Sequence, residues 1–72
     1  MKSAYILKIT DYSKKSTGDS TFYIVDSKGN KLNFFHWTSI ESCKKAFEFN
    51  IWNVKGYELQ EEIKEQIINK AN

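Results

Sequence analysis

Eleven aromatic rings and eleven lysines share a chain of 72 residues, and it is their interleaving that could do chemistry. Tyr23, Phe35, Trp37 and Trp52 stand among Lys8, Lys28 and Lys31. Flat rings beside ammonium groups suit a single-stranded nucleic acid. Bases stack on rings at about 1–3 kcal/mol each, and the lysines hold the phosphates. Lys14 and Lys15, adjacent in a polar stretch, would add phosphate contacts. Each feature has a plainer use. A small domain needs several large side chains in its core, and a doubly basic loop is ordinarily just solvated.

Other reactive groups are sparse. His36 is the sole histidine and Cys43 the sole cysteine, so no metal-ligand spacing exists and no cofactor motif accompanies them. A Cys43–His36 nucleophile pair is formally available, but Cys43 falls on the apolar stripe of a helix, where a cysteine acts as a small hydrophobe. Glu61 and Glu62 are adjacent and, on a helix, diverge, so they do not form an acid–base pair. No Gly-rich phosphate loop occurs. Nothing in the chain argues for an enzyme.

Composition narrows the setting. The length implies one domain, residues 1–72, with a core near the lower limit of sufficiency. The lone cysteine suits a reducing compartment, and no apolar run approaches a membrane span, so the expectation is a cytoplasmic protein with no membrane partner. All basic side chains are lysine, without arginine. Bidentate reading of guanine usually uses arginine, so nucleic-acid binding here would be led by the backbone and weakly specific. Absent arginine and proline also suggest an AT-rich genome, such as that of a low-GC bacterium, its phages or its mobile elements. Lys2 to Lys55 carries nine lysines against five acids, whereas Gly56 to Asn72 carries two lysines against four glutamates. A basic body with an acidic end is compatible with an anionic partner on the body.

The elements follow from periodicity. Ala4–Thr10 alternates as a strand, Tyr5, Leu7 and Ile9 on one face, Ile6, Lys8 and Thr10 on the other. Thr21–Val25 and Lys31–Trp37 flank the turn Asp26–Asn30, in which Gly29 tolerates positive φ, and together read as a hairpin. Both of its faces carry large apolar groups, which calls for a cover or a ligand on the second face. Thr38 and Glu41 form a capping box opening a helix, with Ile40, Cys43, Ala46 and Phe47 on its inner side and Asn50 at its stop. Ile51–Tyr57 reads as a further strand. Leu59, Ile63 and Ile67 recur at i, i+4, i+8, predicting an amphipathic C-terminal helix over about 58–70. The fold class is α+β and β-rich, in the order β-β-β-α-β-α.

On these residues the chain resembles the oligonucleotide-binding OB fold of the anticodon-binding and polymerase-associated type. The stretches ILKITDYSKKSTGDSTFYIVDSKGNKLNFFHW and FNIWNVKGYEL carry the likeness. They supply a first strand ending Ile9-Thr10-Asp11, a Lys/Gly loop, an aromatic strand ending in Asp26, a turn with Gly29, a third aromatic strand, a helix, and Val54-Lys55-Gly56. The likeness covers about residues 4–57. Where that family has a fifth strand, this chain has a helical pattern, so the implied barrel is partly open; a meander sheet with two helices on one face is the rival architecture. The resemblance implies that the second and third strands supply the binding face, with Tyr23 and the Phe34–Trp37 region in place for contacts and the Lys14-Lys15 loop at its border. A second function class stays open: a phage- or mobile-element-type inhibitor or accessory factor acting on a host protein through exposed rings or the acidic face of the last helix. The apolar stripe of that helix would pack on the sheet or make a homodimer.

Overall fold

Residues 5–10 are mostly β-branched or aromatic, and the computed structural model, which describes residues 1–49 and 54–71, places them in the middle strand of a sheet. Strand β1 spans Lys2–Asp11, β2 Asp19–Asp26 and β3 Tyr57–Ile68, in the spatial order β2-β1-β3; helix α1 spans Ile40–Glu48. The described residues thus form a small β-rich α+β domain with an open three-stranded sheet and one short helix. β2 pairs antiparallel with β1, Leu7 opposite Tyr23 and Ile6 opposite Ile24. β3 pairs parallel with β1, Ile6 opposite Ile63 and Leu7 opposite Lys64. Between Ala4↔Leu59 and Ile6↔Ile63 the register slips, so that Gln60, Glu61 and Glu62 bulge against the single residue Tyr5.

Two of the expected elements are corrected. Residues 58–70 are not a C-terminal helix but mostly β3, so the expected helical stripe for a homodimer and the acidic helix face do not exist as such. Lys31–Trp37 is not a continuous third strand. It touches β2 at two isolated bridges, Val25↔Lys31 and Phe22↔Trp37, advancing six residues where β2 advances three. The surplus, residues 33–36, is thrown outward, and the Asn33 side chain caps the Phe35 N–H at 3.0 Å in place of a ladder bond. The turn itself stands as expected. Asp26 Oδ1 accepts the N–H groups of Lys28 and Asn30, both at 2.9 Å, and Gly29 sits at φ +87°.

α1 also starts one residue later than its sequence signal. The cap is Ser39, not Thr38, and its Oγ accepts the Ser42 N–H at 3.1 Å, so Ser42 rather than Glu41 is the cap's partner. The inner face is as expected: Cys43 and Ala46 are buried, with Ile40 and Phe47 packed beside them. Of the expected strand Ile51–Tyr57, residues 51–53 lie outside the described residues, as does the helix stop at Asn50. Val54 is buried in the core, and Lys55-Gly56 make a turn closed by the Tyr57 N–H donating to the Val54 carbonyl at 3.2 Å. No described helix is long and apolar enough to cross a membrane.

The core lies on one side of the sheet. Ala4 and Ile6 of β1, Phe22 and Ile24 of β2, and Leu59 and Ile63 of β3 point to the side where Cys43 of α1 and Val54 complete the cluster. Burying an isoleucine such as Ile6 or Ile24 is worth about 1.5–3 kcal/mol, so this layer carries most of the stability.

Candidate functional site

Alternation along a strand sends the intervening residues to the opposite face. There Tyr5, Leu7 and Ile9 of β1 lie beside Val25, Tyr23 and Thr21 of β2 on one side, and beside Lys64 and Gln66 of β3 on the other. Val25 is fully buried among its neighbours, whereas Tyr5, Leu7, Ile9 and Tyr23 are half-buried. The described core cluster takes none of these residues. The described core cluster uses one face of the sheet, and the other keeps Tyr5, Leu7, Ile9 and Tyr23 partly accessible around the buried Val25.

Two lysines order this face. Lys31 Nζ stands 4.1 Å from the centroid of the Tyr23 ring, and Lys64 Nζ stands 4.5 Å from that of Tyr5 while donating to the Ser27 carbonyl at 3.5 Å. Cation–π attraction holds each ammonium beside its ring at about 0.5–1 kcal/mol in an exposed setting. The His36 ring also meets Tyr23, 6.2 Å between centroids and tilted by 53°. Tyr5 is a diagonal neighbour of Tyr23, since Tyr23 lies opposite Leu7, a separation of about 7–8 Å between such positions. The face therefore presents two phenol rings on neighbouring strands, each with an ammonium group over it that a stacking base would displace toward the phosphates.

Of the residues expected from the sequence, the fold gathers Tyr23, Lys31 and, on the neighbouring loop, Phe35. It separates the others. Lys8 lies opposite Phe22, on the helix side of the sheet, away from Tyr23. Trp37 pairs with Phe22 through two backbone bonds of 2.9 Å and packs on the core. Lys14 and Lys15 sit in the β1–β2 loop, where Lys15 is bound to Asp19 at 3.3 Å. Lys28 is at the exposed tip of the Asp26 turn. Trp52 lies outside the described residues. The fold adds Tyr5 and Lys64 to this face; the alternation puts Tyr5 on one face with Leu7 and Ile9, and only the packing of Ala4 and Ile6 makes that face the one away from the core.

Cys43 is sealed in the core, and burial pushes its thiol up to about 11, so it is protonated near neutrality. That fits the small-hydrophobe use of this residue and leaves no thiolate for a nucleophilic step. Hydrogen bonds hold two carboxyls below the usual range: Asp11 chiefly through the Asn69 amide at 3.0 Å, and Asp26 chiefly through the Asn30 N–H. Both serve loops and turns, not the open face. The chain has no significant match among protein-family models, curated proteins or solved structures.

Proposed function

We propose that the open face of the sheet binds single-stranded nucleic acid with little sequence preference. The observation that carries this is the pair Tyr23–Lys31 and Tyr5–Lys64, two half-buried rings each with an ammonium group over it, on the face that the described core cluster does not use. Rings of this kind accept any base by stacking, and the lysines meet the phosphates on either side. The lack of arginine fits backbone-led contact. The likeness to the oligonucleotide-binding fold supports the same reading, because that family uses its second strand and the one after it, here β2 and the segment 31–37. An OB-like, partly open barrel is part of this proposal. The second reading, an accessory factor for a host protein, draws on β3. Its far edge carries Glu58, Glu61, Glu62 and Glu65 and has no partner strand among the described residues, so a basic extended segment could add to it.

Titration of a fluorescent oligothymidylate separates the two readings. With two to four lysine–phosphate contacts, affinity drops about 7- to 50-fold between about 50 and 200 mM salt. Tyr23→Ala and Tyr5→Ala each weaken binding by roughly 5- to 150-fold, the span of one lost stack. No binding at tens of micromolar in low salt would end this reading in favour of a protein partner.

A further inference from the structure

The segment that fails to continue the sheet carries the most exposed ring in the described chain. Phe34 is 102% exposed, and its neighbour Phe35 is 45% exposed. A wholly solvated phenylalanine usually sits on a loose loop, but this loop is anchored on both sides. The Leu32 N–H donates to the Ile24 carbonyl at 2.9 Å, and Trp37 and Phe22 exchange two bonds of 2.9 Å. The Asn33 side chain fixes the bend between them. Both ends of the loop also converge on one ring, since Lys31 lies over Tyr23 and His36 lies against it. Phe34 therefore projects from a loop whose flanking residues, Lys31 and His36, both meet Tyr23, and which β2 anchors at both ends.

We propose that Phe34 is a further stacking platform of the same site, extending it from Tyr5 across Tyr23 and over the β2 edge, and that it selects strands bearing unpaired bases over plain polyanions. This rests on the proposed nucleic-acid reading. The lysines alone attract any chain of phosphates. A solvated ring beside them gains nothing from a bare sugar–phosphate chain and gains a stack from a base. Bases already paired in a duplex have their faces occupied, so the site takes single strands laid across the sheet.

The test compares oligothymidylate with an abasic strand of equal length, for wild type, Phe34→Ala, Phe34→Trp and Phe34→Leu. Wild type is expected to favour the base-bearing strand, and Phe34→Ala to lose about 5- to 150-fold of that margin with abasic binding unchanged. Phe34→Trp keeps the margin and Phe34→Leu does not, because a stack needs a flat ring. All variants should melt with wild type, since the replaced ring touches nothing. An unchanged margin in Phe34→Ala, or a full margin in Phe34→Leu, overturns the role of Phe34 while leaving Tyr5 and Tyr23 in place. Wild type that binds neither strand overturns the underlying reading as well.

Discussion

Replacing Gly18 by alanine should damage the domain far more than the same change at Gly29, and the two sites isolate why. Both glycines have left-handed backbones, φ +81° and +87°. For alanine that conformation costs about 1–2 kcal/mol. A methyl on Gly29 would meet nothing within 4 Å, whereas on Gly18 it would lie 2.6 Å from Thr10 Cγ2 and 3.0 Å from the Tyr12 ring. Thr10 cannot swing aside freely, because its hydroxyl shares a 3.3 Å hydrogen bond with Ser20. Overpacking of this kind adds about 1–3 kcal/mol. A chain of this length has on the order of 4–11 kcal/mol in total, so Gly18→Ala removes about 2–5 of it and Gly29→Ala about 1–2. At roughly 4–8 °C per kcal/mol for a domain this small, thermal melts followed by circular dichroism should place Gly18→Ala about 5–25 °C below Gly29→Ala. Thr10→Ser deletes the offending methyl and should recover much of that gap in the Gly18→Ala background. Equal melting losses at the two glycines, or no rescue by Thr10→Ser, would refute the steric argument.

Two further outcomes follow from titration. Asp11 and Asp26 are both held below their ordinary value of 3.8 by hydrogen bonds to the charged form. A carboxyl lowered in the folded state stabilises fully above its unfolded value and loses that contribution as pH falls through the folded one. Melting temperature should therefore hold down to about pH 4.5 and fall below about pH 4, and the Asp11→Asn and Asp26→Asn variants should flatten that fall. Cys43, buried and raised to about 11, should resist thiol reagents at about pH 8 until denaturant exposes it; rapid labelling of the folded protein would contradict its burial.

Much of this fold can be read from the residues. The alternation of β1 is clear, but not which face packs: the more apolar set Tyr5, Leu7 and Ile9 lies opposite the core face of Ala4 and Ile6, while the inner side of α1 is clear because Ile40, Cys43, Ala46 and Phe47 follow the helical turn. β3 misleads for a physical reason. Leu59, Ile63 and Ile67 recur every four residues, which suits a helix of period 3.6 and equally a strand of period 2. Glutamate, lysine and glutamine tip the local preference toward helix. What decides is distant: β1 offers an unmatched edge whose Ala4 and Ile6 accept Leu59 and Ile63 on the core side. Tertiary pairing then overrides propensity. Of the candidate site, Tyr23 and Lys31 were legible as an interleaved pair, while Lys64 was not, because its place beside Tyr5 exists only once residues 57–68 are a strand. Trp37 ends the expected strand Lys31–Trp37 and is expected at the ligand, but its bridge to Phe22 draws it onto the core.

The order of the strands has a consequence for how the chain is made. β1 is the middle of the sheet and emerges well before β3, and Lys2 must wait for Tyr57, on the far side of the helix, before its second neighbour is synthesised. Until then Ala4 and Ile6 can pack on β2 and α1, but one hydrogen-bonding rim of β1 is open to whatever strand drifts past. Such non-local closure is slow compared with hairpin formation, so during translation the nascent chain carries an adhesive edge. How fast residues 57–68 leave the ribosome then bears on how much of the product ends with β3 in place and how much ends mispaired.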